Sequence, residues 1–173
     1  SRPDSSLHKS LRFIRSCSSP LAPSTSESME KLFGVPVVEA YGMTEASHQM
    51  SSNPLPPKTR KPGTVGISTG VSIEVMDATG CILDRGATGE IVIRGMNVIS
   101  GYEGNSLANK DAYTNGWFRT GDQGFIDKKG YLNLTGRLKE LINRGGEKIS
   151  PLEVDAVMAQ HPAVLEAVSF GFP

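Results

Sequence analysis

Four short clusters of polar residues, each beside a glycine, are the places where this chain could do chemistry. Tyr41-Gly42-Met43-Thr44-Glu45 sets an aromatic ring, a hydroxyl and a carboxylate side by side. Tyr41 could stack on a base, Thr44 could donate to a phosphate oxygen, and Glu45 could hold Mg2+. The same residues would equally make a plain strand-to-loop turn. In Trp117-Phe118-Arg119-Thr120-Gly121-Asp122 the aspartate is a pure acceptor able to take both hydroxyls of a ribose, although Thr-Gly-Asp alone is an ordinary turn. Gly136-Arg137-Leu138-Lys139-Glu140-Leu141-Ile142 brings cations to an apparent domain boundary, with a solvated charge pair as the plain alternative. Asn143-Arg144-Gly145-Gly146-Glu147-Lys148-Ile149-Ser150 contains a Gly-Gly turn that another group can approach closely, or that simply reverses the chain.

Other chemistries start weak. There is no GxGxxG and no GxxxxGK[ST] for a nucleotide, and no HExxH for zinc. His8, His48 and His161 are scattered, and Cys17 and Cys81 lack CxxC spacing, which fits a reduced intracellular setting. Eighteen Lys and Arg balance eighteen Asp and Glu, so no net field draws the chain to nucleic acid or an anionic membrane. No run approaches the roughly 20 apolar residues of a membrane span. The start, Ser1-Arg2-Pro3-Asp4-Ser5, lacks a signal peptide's apolar stretch, so the sequon at Asn133 is read as chance.

The elements that would position these clusters can be read in order. Leu11-Arg12-Phe13-Ile14 predicts a buried strand that enters a loop of small residues at 16–20. Ser24 with Glu27 has capping-box form, Met29, Leu32 and Phe33 make one apolar face, and Gly34 stops a short helix. Residues 35–41 read as a second buried strand with Pro36 at its start, and it delivers Tyr41. From about 63 to 134, short β-type runs alternate with glycine turns and imply an antiparallel sheet or small barrel. It includes Val71, Ile73 and Val75 alternating with polar residues, a turn at 77–80, a strand at 90–94 and a hairpin through Lys128-Lys129-Gly130. Pro54, Pro56 and Pro57 with the basic 58–61 stretch mark an exposed loop. Ser150-Pro151-Leu152-Glu153 combines an N-cap, a first-turn proline and a capping-box glutamate. Residues 164–170 read as a strand that stops without a partner, and both ends of the chain look cut, so a fragment is expected.

Taken together, the first three clusters and Gly89-Glu90-Ile91-Val92-Ile93-Arg94-Gly95 closely resemble the consecutive core motifs of the adenylate-forming superfamily. The likeness runs over 11–173. Within that family, YGMTEASHQMSSN at 41–53 and INRGGEKISPLEVD at 142–155 look most like oxalate-CoA ligases and related peroxisomal CoA synthetases.

The resemblance implies an α/β fold. Residues 1–136 would be the C-terminal part of the large AMP-binding domain, a sheet end plus a barrel-like subdomain. Residues 137–173 would be the truncated start of a small α+β domain. It implies an ATP-dependent ligase that joins an acid to AMP and passes it to coenzyme A. Tyr41 would stack on adenine, Thr44 would contact the α-phosphate, and Glu45 would ligate Mg2+. Asp122 would take the ribose hydroxyls, Arg137 would help fix the sugar, and the loop around Ser18 would lie near adenine, although it departs from the family's Gly-Ala pattern. Lys139 matches the hinge position, Gly145 and Gly146 would line the pantetheine route, and Lys148 would touch CoA or the adenylate. The family's phosphate loop and C-terminal catalytic lysine have no counterpart in these residues, so the isolated 173 residues are expected to be inactive.

Ser47 and His48 follow Glu45 where related enzymes line the acyl pocket. They suit a small polar acid, because an unpaired polar group facing hydrocarbon costs about 1–3 kcal/mol. Oxalate is the expected acid. A 4-coumarate- or fatty-acid-CoA ligase-like enzyme, or a noncatalytic nucleotide-binding remnant, are the alternatives. Cytoplasmic location is expected, with the peroxisome as the alternative.

Overall fold

The computed structural model of the chain describes residues 10–172. His8, the start at 1–5 and Pro173 therefore lie outside the described residues.

A parallel pair connected by a helix opens the chain: β1 (Ile14–Ser16), α1 (Pro23–Phe33) and β2 (Val37–Tyr41), with Ile14 opposite Val37. All five residues of β2 are buried, as the apolar run predicts, and Pro36 precedes the strand, where its missing N–H breaks no ladder bond. β1 corrects its expectation. Among the described residues it occupies the edge of its sheet, paired to β2, so its residues are half-buried or exposed and Leu11 ahead of it is exposed. The helix also begins earlier than its capping-box pattern suggests. Ala22 is the N-cap and Pro23 supplies the first turn, since proline's fixed φ suits that position. Ser24 is inside the helix, Ser26 is its buried residue, and Leu32 faces solvent. Gly34 ends it as expected, left-handed at φ 69° and donating its N–H to the Glu30 carbonyl at 2.8 Å.

A short 3-10 turn (Thr44–Ala46) then leads to β3 (Ser51–Ser52) and β4 (Ile67–Ser68), completing a four-stranded sheet in the order β1-β2-β3-β4. The proline-rich loop between them is largely exposed, but Arg60 turns inward to Glu30 and the Val37 carbonyl.

The antiparallel region is realised as β5 (Ser72–Met76), β6 (Gly89–Arg94), β7 (Tyr113–Thr114), β8 (Trp117–Ile126) and β9 (Leu132–Arg137), with α2 (Ser106–Ala112) before β7. β5 and β6 pair along one side of β8, in sequence; β7 and β9 share its other side, one at each end. Val71, Ile73 and Val75 are buried while Ser72 is exposed, which is the alternation a half-buried strand requires. Asp77 Oδ1 accepts from the N–H groups of Thr79 and Cys81 and closes the turn after β5, and Asp127 Oδ1 does the same for Lys129 and Tyr131 in the β8–β9 hairpin. Tyr41 at the end of β2, Ala46 in the 3-10 turn and Met50 just before β3 pack in one core with Ile73, Ile91, Ile93, Phe118 and Leu132 from the second sheet. The shared core fixes the end of β2 against the middle of β8.

The chain continues into the hairpin β10 (Ile142–Arg144) and β11 (Glu147–Ile149), turned at Gly145 and Gly146, and then α3 (Pro151–Met158). Ser150 caps α3 by accepting from the Glu153 N–H at 3.3 Å, with Pro151 in the first turn, as its tetrapeptide predicts. The expected strand at 164–170 does not form. It pairs with no described strand, although the hairpin β10–β11 has open edges, and Leu165, Val168 and Phe170 stay exposed in an irregular segment.

Candidate functional site

Two register shifts decide where Asp122 points. Against β6, Glu90 faces Gln123 while Val92 faces Arg119, so residues 120–122 bulge opposite Ile91. Against β9, Gln123 faces Gly136 while Gly124 faces Leu134, so Thr135 is the extra residue. A bulge bends a strand and re-aims its side chains. Here Asp122 turns inward to the end of β2: the Tyr41 hydroxyl donates to Asp122 Oδ2, and Arg137 Nε approaches Oδ1 at 3.2 Å. Three residues singled out from distant motifs thus meet in one cluster.

Its electrostatics follow from burial. The Asp122 carboxyl is pushed above its ordinary range chiefly by desolvation, while the Tyr41 hydroxyl and Arg137 pull it down and Glu140 and Glu90 push it up. The Tyr41 phenol is driven far above its usual value, first by burial and then by the Asp122 charge. Tyr41 therefore stays a neutral donor. An ionised carboxylate offers about four lone-pair sites, so Asp122 keeps acceptor capacity for a vicinal diol.

Glu90, which the motif reading treated only as part of a strand, clamps the bulge. It is buried; Oε1 accepts the Gly121 N–H at 3.0 Å, and Oε2 accepts from Arg119 Nε at 2.9 Å. The Thr120 hydroxyl adds a bond to the Ile91 carbonyl at 2.7 Å and accepts the Asp122 N–H at 3.1 Å. A glutamate inside an otherwise apolar run, 29 residues before an arginine in another strand, was the available signal; the partner was not readable without register.

The loop after Tyr41 folds back on itself. A side chain at Gly42 would place its Cβ 2.3 Å from the His48 carbonyl oxygen, so only glycine fits. Thr44 is exposed and Glu45 half-buried; the Tyr102 hydroxyl donates to Glu45 Oε1 at 2.9 Å, and the Ile99 N–H to the Glu45 carbonyl at 2.9 Å. Ser47 and His48 are exposed and take left-handed φ values of 53° and 55°. For side chains other than glycine such conformations cost on the order of 1–3 kcal/mol each. The Asn97 amide donates to the carbonyls of Ala46 at 2.9 Å and Gln49 at 3.0 Å, on either side of that pair. Tyr102 and Asn97 were also missed by motif reading, because both act from a loop that sequence marks only as irregular.

Ser18 is exposed and left-handed, at φ 80°, at the far end of β1. Lys139, Gly145, Gly146 and Lys148 are exposed, and none makes a hydrogen bond to the Tyr41–Asp122–Arg137 cluster among the described residues. Among the described residues no three His, Cys, Asp or Glu side chains gather as a metal site, and no helix is long and apolar enough to cross a membrane. Glu45 is a single carboxylate, the kind of group that could hold Mg2+, since that ion keeps waters and binds phosphates alongside one or two carboxylates.

The sequence pattern of the AMP-binding enzyme family matches residues 2–103. The oxalate–CoA ligase of Saccharomyces cerevisiae is 59% identical over 165 residues, covering 94% of this chain and 30% of its own length. The oxalate–CoA ligase of Arabidopsis thaliana is 54% identical over 174 residues, covering 100% of this chain and 34% of its own. The crystal structure of ATP-bound MatB from Rhodopseudomonas palustris superposes with a TM-score of 0.87 at 38% identity, over 93% of this chain and 32% of that one. The chain thus spans about a third of the length of the curated relatives it matches.

Proposed function

Since the chain belongs to the AMP-binding enzyme family, we propose that its protein activates oxalate with ATP as an acyl-adenylate and transfers it to coenzyme A. The carboxylate oxygen attacks the α-phosphate, pyrophosphate leaves, and the CoA thiol then displaces AMP. The observation that carries the nucleotide half is the convergence of Tyr41, Asp122 and Arg137 from three separate motifs.

In this reading Asp122 accepts the ribose hydroxyls on the sites that Tyr41 and Arg137 leave open, and the two donors keep its carboxylate aimed. Tyr41 offers its ring to adenine, with Ser18 on the neighbouring loop. Thr44 donates to the α-phosphate, and Glu45, steadied by Tyr102, would hold a Mg2+ ion, which would supply neutralisation of phosphate charge. Lys139 is the turning point between 1–136 and 137–173, and Gly145, Gly146 and Lys148 meet CoA. Ser47 and His48 face the acid; their hydroxyl and imidazole suit the second carboxylate of oxalate. Support for the acid comes from two relatives named as oxalate–CoA ligases at 54–59% identity.

The test is CoA-thioester formation by the full-length gene product with oxalate, malonate, sulfoacetate, 4-coumarate and a medium-chain fatty acid, repeated with His48→Ala. Oxalate should be turned over best and should lose most with His48→Ala. Preference for 4-coumarate or the fatty acid, or oxalate turnover untouched by His48→Ala, would remove the acid assignment.

A further inference from the structure

We propose that Asn97 is a positioning residue that sets acid selectivity by holding Ser47 and His48 in their left-handed conformation. The inference rests on the acid pocket proposed above and names what keeps that pocket in shape. Asn97 lies on the loop after β6, far in sequence from the pair it brackets. Both N–H groups of its amide are used, on the carbonyl just before the pair, Ala46, and the carbonyl just after it, Gln49. The Ser47 hydroxyl returns a bond to the backbone carbonyl of Asn97 at 3.3 Å.

Two adjacent non-glycine residues in the left-handed region persist only where their surroundings over-determine them. The loop's own backbone supplies part of that constraint: Ser47 N–H donates to the Thr44 carbonyl at 3.2 Å and His48 N–H to the Met43 carbonyl at 2.9 Å. These bonds fix where the pair begins. Asn97 ties the two flanking carbonyls together, at Ala46 and Gln49, adding to the Gln49 N–H bond to the Ala46 carbonyl at 3.2 Å. Without the amide, the pair can relax toward the extended or right-handed regions, and each such change swings the Cβ of Ser47 and His48 to a new direction.

Glu45 is anchored separately, by the Ile99 N–H at its carbonyl and by the Tyr102 hydroxyl at its carboxylate. Loss of the Asn97 side chain therefore disturbs the acid side of the loop and leaves the nucleotide side in place. That asymmetry separates a positioning role from a general contribution to folding.

The experiment measures KM for the preferred acid and for ATP in the full-length enzyme, comparing wild type, Asn97→Ala, Asn97→Ser and His48→Ala. Asn97→Ala should raise the acid KM about tenfold, the equivalent of two net hydrogen bonds, and shift the ATP KM less than about twofold. Its preference between oxalate and malonate should narrow. Asn97→Ser, which keeps one donor, should fall between wild type and Asn97→Ala. If Asn97→Ala does not fold, the serine variant decides alone, with the same split between the two KM values. An unchanged acid KM, or an equal rise in both, overturns the inference. If His48→Ala leaves the acid KM untouched, the pocket itself falls and this role goes with it. If His48→Ala raises that KM while both Asn97 variants do not, only the role of Asn97 falls.

Discussion

The cluster around Asp122 and the segment after Arg137 use the same materials, carboxylates, cations and glycine turns, but set them in opposite surroundings. In the first, Asp122 and Glu90 are buried, and each is tied to partners distant in sequence: Tyr41, Arg137, Arg119 and the Gly121 amide. In the second, Lys139, Glu147 and Lys148 stand in solvent around an exposed hairpin. A buried, partnered group has its orientation fixed before any ligand arrives. An exposed lysine must be ordered on binding, at about 0.5–1.5 kcal/mol per side chain. The proposed function assigns the first region the resting affinity for a nucleotide and the second the contacts made during one step.

The strongest way to break that comparison is Asp122→Ala in the full-length enzyme. Loss of two hydrogen bonds to a charged acceptor, each about 1.5–3 kcal/mol, predicts ATP binding weaker by about a hundredfold or more. The same change removes the carboxylate that accepts from the buried Tyr41 hydroxyl, leaving Thr120 beside it, and should cost about 0.5–1.5 kcal/mol in stability. Calorimetric titration with ATP and thermal unfolding read the two separately. A lower Tm with unchanged ATP affinity would make the cluster a structural brace and nothing more.

Lys148→Ala should behave in the opposite sense. Its side chain is exposed, so stability should stay within about 0.5 kcal/mol of wild type, and ATP affinity should not change. Thioester formation should slow by roughly tenfold or more, because the proposed contact of this cation with CoA or the adenylate is lost. Pyrophosphate release and CoA-thioester appearance, followed in separate assays, distinguish the half-reactions. A Tm drop as large as that of Asp122→Ala would erase the contrast between the regions.

How legible each region was depends on the range of its forces. The β8–β9 hairpin, Gly34 and the Ser150-Pro151 cap were readable because turn chemistry and capping act within a few residues. The capping-box pattern at Ser24 misled for the same reason: Pro23 offered a competing local start that the pattern did not weigh. The run at 164–170 has strand composition, but a strand exists only with a neighbour, and composition carries no pairing. In the site, residue types pointed to Tyr41 and Asp122 separately, whereas their mutual hydrogen bond depends on bulges in two ladders. Glu90 and Asn97 escaped because their roles are set by carbonyls and amides of other segments, which leave no mark in the motif itself.

The smallest expected effect probes the cost hidden in the ordered region. Glu39 lies two residues before Tyr41 on β2, so both side chains take the same face of the strand. It is buried, and its Oε1 accepts the Gly63 N–H at 2.9 Å. Burial raises its carboxyl above the ordinary value, with the Gly63 N–H pulling the other way. A native pKa above the unfolded one means that the folded state holds the proton more tightly. Below the unfolded pKa both states are protonated and the site has no pH-linked cost; as pH rises through the raised native pKa, ionisation in the core takes stability away. Glu39→Gln keeps a carbonyl oxygen for Gly63 and cannot ionise. Its Tm should therefore match wild type in acid and exceed it at neutral pH, by less than Asp122→Ala lowers it. Glu147→Gln, a change at an exposed residue of the second region, should move Tm at neither pH. Thermal unfolding of the three proteins across that pH range is the measurement. A Glu39→Gln advantage that is the same in acid and at neutral pH would show that the gain comes from packing rather than from a buried charge.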